Sequence, residues 1–172
     1  MGARILVLSM VVATLALLVR PGAATAQANN EAMRGIPGGF VIVEDLSQDA
    51  QICGLKQLVL ERNLGGLLSK RGFKLFDKRS FEYPVAYLVI DSLFFETNAL
   101  CVSFVRLSLS RYALIDYLGA SRFVETVFWK GAGVFSSVAV HHPDKIDSAL
   151  ESIAARLIED WASVQSKAPA KP

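Results

Sequence analysis

The sequence predicts an α+β domain: a mostly antiparallel sheet of four to five strands with two amphipathic helices on one face, in the order β-α-β-β-β-(β)-α. Three observations predict it. The segments near 47–71 and 143–165 carry apolar residues at helical spacing. The stretch between 85 and 140 is rich in β-branched and aromatic residues, punctuated by short polar or glycine-containing breaks. Two helices with apolar stripes need a common apolar surface, and a sheet covered on one face supplies it.

Composition agrees with a single domain. Apolar residues make up 52% of the 172 residues and charged residues 20%. That balance excludes disordered, collagen-like and low-complexity chains and allows one domain with a real core.

Residues 1–26 read as a cleaved signal peptide. Arg4 precedes an uncharged apolar run from Ile5 to Val19, which Arg20 and then Pro21-Gly22 close. Ala24-Thr25-Ala26 and Ala26-Gln27-Ala28 both match the small-x-small cleavage pattern. The run spans roughly 22 Å as a helix, short of the ~30 Å hydrocarbon core. No cysteine follows it to carry a lipid anchor. Of 18 basic residues this leader takes two, Arg4 and Arg20, and none of the 16 acidic ones, so the remaining chain is formally neutral. Neutrality disfavours a nucleic-acid binder, which works by neutralising many phosphates. No second run of about 20 apolar residues follows, so no transmembrane span is expected after cleavage.

The elements follow in order. Residues 27–39 are polar and contain Gly and Pro, which suggests a flexible lead-in to a domain at 40–165. Phe40-Val41-Ile42-Val43 predicts a first strand. Ser47 or Asp49 can cap a helix running to about Arg71, with a stripe of Ile52, Leu55, Val59, Leu60, Leu64, Leu67 and Leu68. Gly65-Gly66 weakens that helix or lets it approach the sheet closely. Lys70-Arg71-Gly72 makes a favourable helix end. Strands are predicted at 73–79, at 85–95 and from 99 to about 112, with a turn at Glu96-Thr97-Asn98. On the return strand Val105, Leu107 and Leu109 share one face, and Arg106, Ser108 and Ser110 share a wetter one. Residues 116–121 read as a loop, 122–129 as a strand, 130–133 as a turn and 134–140 as a strand pairing back. The last helix starts near Pro143, with Asp144 and Asp147 by its positive end. Its stripe is Ile146, Leu150, Ile153, Leu157 and Trp161. Residues 166–172 form a frayed tail.

Cys53 and Cys101 are the two cysteines, and in an exported chain they allow one disulfide. It would tie the first helix to the sheet. No CxxC motif points to thiol exchange.

Catalytic signals are sparse. No GxSxG, SxxK or HExxH pattern occurs. His141 and His142 are the only histidines, so either must be the base for any serine nucleophile, with distant serines such as Ser108 brought in by folding. His141, His142 and Asp144 are weak metal candidates, because neighbouring side chains on an extended segment diverge and a site needs three or four convergent ligands. A polar strand-to-helix connection is the plainer reading. Gly35 to Gly39 precedes the first strand and is no phosphate loop, which would stand between a strand and a helix.

Two groups are candidate interface residues. Lys70, Arg71, Lys74, Lys78 and Arg79 concentrate positive charge within ten residues, beside the acid Asp77. Solvated edge charge explains the same cluster, since lysines deter strand pairing. Tyr112 and Tyr117 flank a predicted loop and can anchor contacts if exposed.

These observations imply a non-catalytic exported protein, periplasmic or extracellular, that accompanies or docks to an envelope assembly through a protein partner, with no cofactor and no nucleic acid. Two rival classes stay open. One is a small-ligand or lipid-binding module with a groove between helices and sheet; the other is a small enzyme with a site assembled from separate strands. A flat exposed aromatic patch favours the first reading, an apolar pocket with convergent polar groups the second, and a perturbed His or carboxylate in a cleft the third.

Overall fold

The computed structural model describes residues 30–77 and 80–165. The leader and the tail proposed at 166–172 lie outside them, as do Lys78 and Arg79. The fold is α+β, built on one five-stranded mixed sheet. Its strands are β1 (Gly38–Val43), β2 (Lys74–Leu75), β3 (Val85–Phe95), β4 (Leu100–Tyr117) and β5 (Ala120–Val138), in the spatial order β2-β1-β3-β4-β5. β1 runs parallel to both β2 and β3, whereas β3, β4 and β5 are antiparallel. The helices α1 (Gln48–Ile52) and α2 (Gln57–Ser69) fall between β1 and β2, and α3 (His142–Gln165) closes the chain.

Side chains alternate across the strands. Val41, Val43, Ala86, Leu88, Ile90, Val105, Leu107 and Leu109 point to one face and are buried under the helices. From α2 come Leu60, Leu64 and Leu68, and from α3 come Ile146, Leu150, Ile153 and Leu157, all buried. Each helical set recurs at three- and four-residue spacing, so the predicted stripes are the core-facing ones.

The first helical segment is two helices rather than one. The Ser47 Oγ accepts from the Ala50 N–H at 3.2 Å and caps α1. The helix then stops at Cys53, and Gly54 takes a left-handed φ of +82°. A side chain there would also press on the Pro143 ring. The break resets the helical phase, which is why Ile52 and Val59, counted in one stripe with Leu60, are exposed. Gly65 does let α2 approach the sheet: an added Cβ would stand 3.3 Å from Leu75 in β2.

Four other expectations change. Residues 30–37 are docked rather than loose. Met33 and Ile36 are buried, the Trp161 indole N–H donates to the Ile36 carbonyl at 2.8 Å, and the Gln165 amide donates to the Met33 carbonyl at 2.8 Å. Of the strand expected over 73–79, the described residues form only Lys74–Leu75. β4 and β5 form one long hairpin with no loop at 116–121 beyond the two-residue turn Leu118-Gly119. Both turn residues have positive φ, 51° and 77°, the backbone a tight hairpin demands. No turn occurs at 130–133. Gly131 and Gly133 stay in the strand, leaving room for the rings of Trp129 and Phe135, which a Cβ at either position would strike. The glycines mark close packing rather than chain reversal.

Candidate functional site

The helices cover one face of the sheet, and among the described residues no element covers the other. That open face collects Phe40 and Ile42 from β1, Val85 and Tyr87 from β3, and Arg106, Ser108, Ser110 and Tyr112 from β4. β5 adds Glu125, Val127 and Lys130 to the same surface. Strict alternation would not put residues 127 and 130 on one side. The register shift does so: Ser110 pairs with Val127 and Leu109 with Trp129, leaving Phe128 as the extra residue of a bulge. On the opposite side of the ribbon, the Arg111 guanidinium lies over the Phe128 ring, 5.9 Å from its centre.

Two depressions occupy this face. A cavity of about 370 Å³ is floored by Ser108 and Ser110, with Tyr87, Arg106, Lys130 and Glu125 among its lining residues. A second, of about 240 Å³, is walled by Phe40, Phe81 and Tyr83. They share Ile42, Val85 and Tyr112 and are therefore continuous. Phe81 packs on Tyr112 and on Phe123, with ring centres 6.4 Å apart in each case, and Phe76 stacks on Tyr83 at 4.3 Å.

The polar atoms here are unusual for an uncovered face. Ser108 and Ser110 are 8% and 3% exposed, yet among the described residues neither hydroxyl has a hydrogen-bond partner. Arg106 is half-buried and forms no ion pair among the described residues. The Tyr87 phenol is pushed above its ordinary range, first by burial and then by the negative charge of Glu44, so it stays protonated and able to donate. Core side chains fill most of the space between helices and sheet, but a depression of about 670 Å³ remains between α2 and the β1–β2 edge, lined by Leu58, Glu61, Arg62, Gly65 and Asp77; the concave site with the unpartnered serines lies on the far side.

Apolar exposure continues outward in both directions. Leu93 is 60% exposed and is joined by Phe95, Phe104, Val134 and Val138 at one end of the face. Leu114 and Phe123, the latter 70% exposed, pair across the hairpin at the other. Leu118 sits almost fully exposed at the turn.

A separate polar cluster lies in the core. His142 is fully buried; its Nε2 is 2.7 Å from the Ser103 Oγ and its Nδ1 is 2.9 Å from the Ser137 Oγ. Ser103 is in turn 2.6 Å from the Ser92 Oγ. Burial holds the His142 pKa below its ordinary value. Both ring nitrogens are occupied by hydroxyls; His142 and Ser103 are fully buried, and Ser137 is half-buried.

This arrangement separates the candidate metal ligands. His141 is exposed and His142 is locked inward, so the two diverge, and no group of three or more potential ligands gathers among the described residues. Ser108, the serine singled out as a distant partner for histidine, lines the open face instead; Ser103 and Ser137 are the ones that meet His142. Cys53 and Cys101 are joined by a disulfide with Cα atoms 6.0 Å apart, tying the end of α1 to β4. Lys70, Arg71 and Lys74 are exposed at the end of α2 and on the edge strand β2, with the Lys74 ammonium 5.4 Å from the centre of the Phe76 ring. Tyr112 and Tyr117 are exposed on the hairpin, Tyr112 as part of the open-face site. Sequence reasoning passed over Arg106, Lys130, Phe81 and Phe123. The alternation at 105–110 signalled the correct faces, but nothing local signals that the wetter face is concave.

No protein-family model matches the chain, and no curated protein matches it significantly. Among solved structures, a minor lipoprotein from Acinetobacter baumannii is similar at a TM-score of 0.37 and 10% identity, covering 81% of this chain and 99% of that one.

Proposed function

We propose that this chain is a non-catalytic interaction protein of the cell envelope, exported to the periplasm, whose docking surface is the open face of the sheet and its hairpin extension. The observation that carries the reading is the breadth of apolar exposure on that face, from Leu93, Phe95 and Val134 at one end to Leu114 and Phe123 at the other. Isolated exposed apolar residues are ordinary, whereas a contiguous set on one face marks an interaction surface. Aromatic side chains such as Tyr112, Phe81 and Phe123 are suited to anchoring contacts. The disulfide supports an oxidising compartment, in line with the leader at 1–26. The Ser103–His142 contact supports a structural role for the histidine, since both side chains are fully buried.

Site-specific photocrosslinking in the native envelope tests this reading. A photoreactive residue at Leu93 or Phe123 is expected to give a discrete protein adduct of the same mass from both positions. The same residue at Leu58, exposed on α2, is expected to give none. Adducts from Leu58 alone, or none from either open-face position, overturn the reading.

A further inference from the structure

We infer that the two continuous depressions on the open face form one binding site for a single-chain amphiphile with an anionic head, a carboxylate or a phosphate. The inference goes beyond the docking surface proposed above and stands or falls separately from it.

The head site rests on polar groups that have no hydrogen-bond partner among the described residues. A buried hydroxyl without a partner costs free energy. Ser108 and Ser110 place two such hydroxyls side by side on the cavity floor. Arg106 adds a half-buried guanidinium free of any ion pair among the described residues, and Lys130, paired opposite Ser108 in the ladder, adds an ammonium. Tyr87 contributes a phenol held in its protonated, donating form. Every one of these groups can donate to an anion, and the guanidinium suits a carboxylate or phosphate in particular. Glu125 is the one carboxylate lining the cavity, and Glu44 and Asp45 act on the Tyr87 phenol from beside it; they offset the two cations, so the preference for an anion rests on the convergent donors.

The tail site is argued from the adjoining slot. Phe40, Ile42, Phe81, Tyr83, Val85 and Tyr112 wall it, and Ser80 alone brings a polar side chain apart from the two phenols. An inorganic anion would leave this slot empty, and a neutral hydrocarbon would leave the serines and Arg106 unmatched. The two volumes together lie in the range of ordinary small-molecule sites, roughly 300–1,000 Å³.

Isothermal titration of the exported protein tests the site, with four decyl compounds held below micelle formation: decanoate, decyl phosphate, decyltrimethylammonium and decyl maltoside. Saturable one-to-one binding is expected for at least one of the two anions, about tenfold or more tighter than for the cationic and neutral chains. The tighter anion identifies whether a fatty-acid carboxylate or a phospholipid-type phosphate is the natural head. Arg106→Gln is expected to weaken the anion by about tenfold or more, in line with loss of a charge-assisted hydrogen bond. Glu125→Gln is expected to tighten it. Phe81→Ala, at a largely exposed ring, is expected to weaken decyl anions while the melting temperature stays put. No saturable heat with either anion, equal affinity for all four head groups, or an Arg106→Gln variant that is folded and binds unchanged would each overturn the proposal. Should Arg106→Gln fail to fold, Lys130→Gln at an exposed position serves in its place, with the same loss expected.

Discussion

Replacing Cys53 and Cys101 together with alanine removes the one covalent tie between α1 and the sheet. The cysteines are 48 residues apart, and the chain-entropy relation for a loop of that length gives about 4 kcal/mol at 25 °C. Both are fully buried, so alanine is the better replacement; serine would add two buried hydroxyls in need of partners. The region keeps other anchors. Ala50 is buried, and the Asp49 carboxylate accepts from the Phe94 N–H at 3.1 Å, joining α1 to β3. The variant is therefore expected to fold but to lose about 4 kcal/mol, a large share of a stability typically about 5–15 kcal/mol. α1 has five residues and cannot persist alone, so it should fray first. The assay is urea unfolding followed by the fluorescence of Trp129 and Trp161. Unfolding should become steeper in urea as well, because the uncrosslinked chain exposes more surface. A loss below about 1 kcal/mol with unchanged slope, or two alkylatable thiols in protein taken from its native compartment, would refute the reasoning.

Other predictions follow from single contacts. His142 has its pKa depressed below 6.5 by burial, so the unfolded chain binds the proton more readily; the stability linked to this group is fully present above pH 6.5 and is lost as pH falls from there through the folded pKa. Urea midpoints measured between pH 7.5 and 4.5 should fall more steeply for the natural protein than for His142→Gln, and parallel profiles would remove the histidine as the cause. Gly131→Ala puts a Cβ against the Trp129 ring and 3.2 Å from Ile153; because the Trp129 N–H is held by Asp160 at 2.7 Å, the ring cannot easily give, and thermal unfolding should show a loss of about 1–3 kcal/mol. Gly66→Ala meets nothing within 4 Å inside α2 and should instead gain about 1 kcal/mol, so equal effects from the two glycines would contradict the packing described. N-terminal sequencing of the exported protein should begin at Gln27 or Asn29, and intact leader in the membrane fraction would argue for an anchor instead.

Periodic features were legible in the sequence because they depend on neighbours along the chain. The stripe Ile146-Leu150-Ile153-Leu157 faces the sheet as its spacing requires, and residues 105, 107 and 109 turn inward together. Local punctuation was less reliable. Gly54 ended a helix that the apolar stripe seemed to continue, whereas Gly131 and Gly133 interrupted nothing. A glycine's meaning rests on whether it supplies a positive φ or a missing Cβ, and only the partner across the strand or helix distinguishes the two. Residues 30–37 looked loose because their polar sequence conceals two buried anchors, Met33 and Ile36, whose partners lie about 130 positions away in α3.

From the order of residues alone came the α+β class, the two helix stripes, the inward face of β4 and a cysteine pair fit to bridge, each set by spacing or by a count. The candidate site came from tertiary structure. Arg106, Ser108 and Ser110 read as a solvated strand face until Phe81 packs on Tyr112, Tyr83 joins the wall of the slot, and a bulge at Phe128 swings Glu125, Val127 and Lys130 to the same side. Concavity is a property of several strands at once: it depends on how far β1, β3, β4 and β5 twist and where one ladder slips by a residue, and no single segment encodes that.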